Sequence, residues 1–151
     1  MADILVIDDD PDIRRLLTVI LEQEGHNVSS AGDGEKALEL INKQSPDLCV
    51  LDVMMPKKDG FMVLKELRSS GQRESTKVLL LTARTAEADW LRGYKLGADQ
   101  YLTKPFENDV FVQKVDELLA MSRDQLKARR QGELDRAQLL SRLESIFQSQ
   151  R

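Results

Sequence analysis

One cysteine in 151 residues leaves no partner for an internal disulfide, and a chain this short of thiols suits a reducing, intracellular compartment. That residue, Cys49, sits in the apolar run DLCVLD, where a small buried thiol is the expectation rather than a reactive one. Histidine is as scarce: His26 stands alone in a turn ahead of a strand-like run, which argues against a catalytic or phosphodonor histidine. No stretch approaches the roughly 18 apolar residues of a membrane span, and the amino terminus lacks a signal-peptide pattern. Positive charge is in deficit too. The net charge of −4 argues against a general nucleic-acid binder. What remains, with 41% apolar and 32% charged residues, reads as a soluble, cytoplasmic chain of one globular domain with some length to spare. The charge is unevenly spread: residues 122–151 hold seven Lys/Arg and four Asp/Glu, so the basic end trails an acidic body.

Short aliphatic runs alternate with helical patterns along residues 1–121. DILVI, NVSSA, DLCVLD, KVLLLT and QYLT have strand length, and three of them are almost wholly apolar, as strands buried on both faces of a parallel sheet are. Between them, Ile13, Leu16, Leu17, Ile20 and Leu21 follow the spacing of a helix buried along one stripe. Asp10 reads as its N-cap, Pro11 as its first turn and Gly25 as its end. A second helix is predicted from about Asp33 through Ile41, a third around Phe61, Leu64 and Leu67, and a fourth from about Ala86 to Leu96, stopping at Gly97. A fifth begins after Pro105 and carries Phe111, Val115, Leu118 and Leu119. Five β-then-α repeats predict an α/β domain, a parallel sheet with helices on both faces. In such sheets chemistry sits outside the carboxyl ends of the strands.

Asp8 and Asp9 end the first strand, Asp52 ends the third, Thr82 the fourth, and Lys104 follows the fifth. If those strands are neighbours, these residues line one shallow pocket. Three carboxylates there repel one another unless a divalent cation holds them, and few protein oxygens with open positions favour Mg²⁺. Lys104 supplies a fixed positive charge and Thr82 a rotatable hydroxyl, which suits a site that neutralises phosphoryl oxygens while a carboxylate attacks. Taken singly, each residue has an ordinary reading: the Asp pair a helix cap or exposed turn, Asp52 a turn residue, Thr82 a cap, Lys104 a surface lysine, Tyr101 core packing. Taken together, they are hard to explain that way.

VIDDD, VLDVMMPKKDG, LLLTAR and GADQYLTKPF, in that order and spacing over about residues 3–121, resemble the response-regulator receiver domain of two-component signalling. The resemblance implies a flavodoxin-like, doubly wound five-stranded parallel sheet of order 2-1-3-4-5. It implies Asp52 as phosphoacceptor, Asp9 binding Mg²⁺ directly, Asp8 helping through water, and the Met54 carbonyl completing the protein ligands. Lys104 would contact the phosphoryl group, ahead of a Pro105 that in this family commonly follows a cis bond. Thr82 would turn its hydroxyl to the new phosphate and Tyr101 would move inward, reshaping the face of the fourth helix, fifth strand and fifth helix. The implied partners are a sensor histidine kinase and a downstream effector or second subunit at that face, with no membrane. One rival is a metal-dependent phosphatase of the haloacid-dehalogenase kind, which resembles a DxDxT pattern. Here Met54 stands where its acid–base Asp would be, so slow hydrolysis and a signalling role are expected rather than multiple turnover.

Residues 122–151 read as a helical tail, interrupted in its apolar spacing around Arg129–Gly132, with Leu134, Ala137, Leu140, Leu143 and Phe147 near one stripe. A short coiled coil or docking on the receiver is expected of it, and its basic excess reads as a solvated face. It is too short for a DNA-binding output domain, so no direct DNA contact is expected from these residues. Either the chain is a single-domain regulator with a helical tail, or an effector lies beyond it. The second rival is an interaction module that works without phosphate through this tail.

Overall fold

All five strand-length runs form strands: β1 (Asp3–Ile7), β2 (Asn27–Ala31), β3 (Leu48–Asp52), β4 (Lys77–Thr82) and β5 (Gln100–Thr103). They belong to a computed structural model that describes residues 1–69, 75–83 and 87–149. The strands are parallel and ordered β2-β1-β3-β4-β5, the flavodoxin-like winding that the sequence motifs imply. Six helices are described: α1 (Pro11–Gln23), α2 (Gly34–Gln44), α3 (Gly60–Ser69), α4 (Glu87–Leu96), α5 (Asn108–Ala120) and α6 (Arg123–Ser149). The expected start of the fourth helix, Ala86, lies outside the described residues.

The near-continuous apolar character of β1, β3 and β4 follows from their position at the sheet's centre. Leu5, Ile7, Cys49, Leu51, Val78 and Leu80 point to one side, where Ala37 and Ile41 of α2 and Phe61 and Leu64 of α3 cover them. Ile4, Val6, Leu48, Val50, Leu79 and Leu81 point to the other, against Leu17 and Leu21 of α1 and Phe111, Val115 and Leu118 of α5. Each such side chain, fully withdrawn from water, contributes about 1.5–3 kcal/mol before entropy is counted. Cys49 is part of this core, and burial pushes its thiol up to about 12, so it stays protonated and inert.

Local signals account for most helix ends. The Asp10 carboxylate accepts the Asp12 backbone N–H at 2.9 Å ahead of Pro11, and the Asp33 carboxylate accepts that of Lys36 at 2.8 Å. Past α1, Gly25 takes a left-handed φ of 93° that a side chain rarely adopts. One expected inward residue is not inward: Leu16 is 46% exposed. The buried stripe centres on Leu17, and one residue is about 100° of helix rotation, enough to carry Leu16 out of it.

The tail is one continuous 27-residue helix, α6, that passes through Gly132 without a break. It lies along α4. Leu126 is completely buried in the core on the α5 side, Leu134 and Ala137 are half-buried, and Leu140, Leu143 and Phe147 are exposed together with Leu139 and Ile146. The first half of the tail is thus built into the receiver, while the second projects its apolar residues into solvent. A Cβ at Gly132 would meet nothing within 4 Å. Gly132→Ala should therefore stabilise the chain by about 0.5–1 kcal/mol, the ordinary helix-interior difference, as read by denaturant unfolding.

Candidate functional site

Strand register brings the acidic residues together. Ile7 pairs with Leu51 across β1 and β3, so the next residues on, Asp8 and Asp52, emerge side by side at the carboxyl edge. Asp8, Asp9 and Asp52 each offer a carboxylate oxygen, and the three oxygens lie within 4.8 Å of one another. Asp8 and Asp52 are buried and Asp9 is exposed, so the cluster opens to solvent on one side. Lys104 reaches in from beyond β5. Its Nζ lies 2.8 Å from Asp8 Oδ2 and 3.5 Å from Asp52 Oδ2.

Backbone donors fix the carboxylates. The Asp10 N–H donates to Asp8 Oδ1 at 2.9 Å, and the Met54 N–H donates to Asp52 Oδ1 at 3.3 Å. Arg14, which the sequence analysis did not single out, donates from its guanidinium to the Asp8 carbonyl at 2.7 Å and clamps the β1–α1 turn. Its signal was available: Arg14 lies one helical turn past the cap residue Asp10, where a long side chain can fold back over the strand end. Behind Asp52 the chain turns through Pro56 to Gly60, with Lys57 at a left-handed φ of 67°. A Cβ on Gly60 would sit 2.8 Å from Val53 Cα, so only glycine lets α3 start this close to the strand end. The Gly60 N–H donates to the Val53 carbonyl at 2.9 Å, which closes that loop.

The electrostatics follow from the crowding. Burial, then the Asp8 charge, push the Asp52 carboxyl up from 3.8 to about 6, against the pull of Lys104 and the Met54 N–H. Burial alone would lower the Lys104 ammonium, but the hydrogen bond to Asp8 and the charge of Asp52 outweigh it and hold it above its ordinary value. Among the described residues, one ammonium faces three carboxylates and leaves the cluster negative, with oxygen the donor atom throughout. That donor set fits a hard divalent cation such as Mg²⁺.

The remaining expected residues stand around this cluster. Thr82 is completely buried at the last position of β4, one residue past Leu81, which pairs with Asp52. The Lys104 N–H donates to the Thr82 carbonyl at 2.8 Å across a cis Lys104–Pro105 segment. The Met54 side chain is 52% exposed, so it is the backbone of this residue that approaches Asp52. Tyr101 is not among the carboxylates. It is half-buried on the α3–α4 side of β5, with its ring edge-on to Trp90 at 5.9 Å between centroids. His26 accepts the Ala2 N–H at 3.1 Å through Nδ1, a structural tie at the far end of the sheet.

A family model described as the response regulator receiver domain matches residues 4–116. The chain belongs to this family. CpxR of Escherichia coli K12, a transcriptional regulatory protein, is 48% identical over 122 residues, which are 81% of this chain and 51% of the relative. PhoP of Bacillus subtilis strain 168, the alkaline phosphatase synthesis transcriptional regulatory protein, is 50% identical over 103 residues, 68% of this chain and 42% of the relative. This receiver chain therefore spans about half the length of the curated relatives it matches. Among solved structures, the chemotaxis protein CheY4 of Vibrio cholerae superposes with a TM-score of 0.75 at 32% identity, covering 78% of this chain and 98% of CheY4. Two of these relatives are named as transcriptional regulators, which sits against the expectation of no direct DNA binding by these residues. Among the described residues, no helix is long and apolar enough to cross a membrane.

Proposed function

We propose that this receiver takes a phosphoryl group from the phosphohistidine of a sensor histidine kinase onto Asp52, and that Mg²⁺ held by Asp8, Asp9, Asp52 and the Met54 carbonyl supports the transfer. The observation that carries this reading is the meeting of three carboxylate oxygens within 4.8 Å of one another with Lys104 3.5 Å from Asp52. Asp52 is the central member: buried, beside both Asp8 and Lys104, and held by a backbone N–H. Its free oxygen attacks phosphorus, the N–P bond to the donor imidazole breaks, and an acyl phosphate forms on the carboxylate. Bound Mg²⁺ would supply charge neutralisation to the phosphoryl oxygens. Lys104, already poised between Asp8 and Asp52, exchanges a carboxylate partner for a phosphoryl oxygen. The backbone donors at Asp10 and Met54 keep the geometry from relaxing as charge builds up. The product persists because position 54 carries a methionine and no side-chain acid or base there assists water.

The added charge of about −1.5 to −2 then acts on Thr82 at the end of β4 and on Tyr101 on β5. Tyr101 lies edge-on to Trp90 of α4, and α4 is the helix on which the tail rests, so the switch has a short route to α6. The output we propose is directed to DNA through a partner or further domain, as the transcriptional regulators CpxR and PhoP suggest. A second subunit gathered by α4, β5 and α5 or by the exposed end of α6 would serve the same output. Acetyl phosphate with Mg²⁺ should raise the intact mass by one phosphoryl group, and chelation by EDTA should abolish the gain. No gain under those conditions would leave the phosphate-independent tail module ahead. Sustained turnover of small phosphate esters would favour a phosphatase instead.

A further inference from the structure

Helix α6 has an anchored half and a bare half. Asp99, buried just ahead of β5, accepts from Arg68 of α3 and from Arg123 and Arg130 of α6 at 2.9, 3.2 and 2.6 Å, and from the Val78 N–H at 2.9 Å. With Leu126 buried in the core, these contacts fix the opening turns of α6 to the receiver. Further along, Ala137 and Leu140 face Trp90, Leu91 and Tyr94 of α4 across a cavity of about 300 Å³. From there α6 carries its apolar residues into solvent.

At about 100° of rotation per residue, Leu139, Leu140, Leu143, Ile146 and Phe147 fall on one stripe about 120° wide, with Leu143 at its middle. Trp90 adjoins the stripe through the cavity it lines with Leu140. These six side chains each leave between 42% and 68% of their surface open. For side chains of roughly 150–250 Å² that is on the order of 600 Å² per copy, the upper limit of what a monomer leaves bare in one patch. Two such patches face to face reach the ~1,200 Å² at which specific interfaces begin.

The margins of the stripe say what covers it. Arg142 and Glu144 are the chain neighbours of Leu143, so they stand about 100° to either side of it, one margin basic and the other acidic. A partner of one charge sign would match one margin and meet like charge at the other. A second copy with its helix parallel matches both, because a twofold axis along the helices sets each Arg142 against Glu144 of the other copy. An antiparallel pair would set Arg142 against Arg142 and Glu144 against Glu144.

We propose that the second half of α6 is a homodimerisation element: the stripe from Leu139 to Phe147, widened by Trp90, packs against the same stripe of a second copy, with the two α6 helices parallel. This deepens the second-subunit reading above and rests on it, but the contact needs neither the phosphoryl group nor Mg²⁺.

Sedimentation equilibrium of the full chain in EDTA, without phosphodonor, tests it, and a monomer–dimer equilibrium is expected. Leu143→Asp, at an exposed position, should weaken association at least about thirtyfold, as removal of a central interface anchor does. Acetyl phosphate and Mg²⁺ should still add phosphoryl mass to that variant, so loss of the dimer is separable from loss of the receiver. Arg142→Glu and Glu144→Arg should each weaken association about threefold or more, and the two together should restore it. A monomer at every concentration up to about 0.1 mM, or a dimer indifferent to Leu143→Asp, would overturn the proposal. Single charge variants that weaken the dimer without mutual rescue would overturn the parallel pairing. Association that appears only with beryllofluoride and survives Leu143→Asp would also overturn it, and would place the second subunit on the face of α4, β5 and α5.

Discussion

Asp52→Asn should gain no phosphoryl mass from acetyl phosphate and Mg²⁺, yet in the absence of divalent cation it should be more stable at pH 8 than the unmodified chain. Both effects have one cause, the crowding of carboxylates at the end of β3. The Asp52 carboxyl sits at about 6 in the folded protein against 3.8 as its ordinary value. A carboxyl raised on folding favours the native state while protonated. Its contribution is fully present below about pH 4 and is lost as the pH rises through 6. Two pH units correspond to about 3 kcal/mol, and solvent at the open side of the pocket reduces that to about 1–2 kcal/mol. Denaturant unfolding at pH 5 and pH 8 measures it: the unmodified chain loses stability between them, the variant loses less, and Mg²⁺ restores only the unmodified chain. A variant that still took up phosphate, or equal pH profiles for the two chains, would show that Asp52 is neither acceptor nor the strained member.

The legible parts of this protein are those governed by local pattern. Apolar runs with polar ends became strands because the central strands have no solvent face, and Asp10, Pro11 and Gly25 marked the limits of α1 through backbone chemistry a few residues wide. The carboxylate cluster was legible for a different reason. Parallel strands deliver all their last residues to one edge, so Asp8, Asp52 and Lys104 meet once the order of strands is known. Tyr101 and Trp90 were harder, since an aromatic on an outer strand packs or switches with the same local sequence. The Asp99 cluster was not legible at all. Asp99 stood within GADQYLTKPF as one motif letter, and Arg123 and Arg130 belonged to a helix whose basic excess read as solvated. Nothing in the spacing of residues 68, 99, 123 and 130 announces that they meet, because two crossovers and a docked helix set the distances.

Asp99→Ala is expected to cost about 3–5 kcal/mol, the toll for removing one partner from a buried charge cluster. For a chain of this length that lowers the melting temperature by on the order of 10 °C. Asp99 is a carboxylate that Arg68, Arg123 and Arg130 share, and its Oδ2 also accepts the Val78 N–H that starts β4. Truncation leaves three guanidiniums repelling one another over an unpaired strand amide. Two of those guanidiniums belong to α6, so the same change should free the tail: proteolysis within residues 128–138 should accelerate while the receiver core resists. Arg130→Gln is the informative contrast. It removes one donor of four and one excess charge, so its cost should be well under half that of Asp99→Ala, although it takes away the shortest of the three ion pairs at 2.6 Å. Equal losses for the two variants would mean that helix packing through Leu126 holds the tail and the charges merely accompany it. A melting temperature within a few degrees for Asp99→Ala would remove the cluster as the anchor of α6.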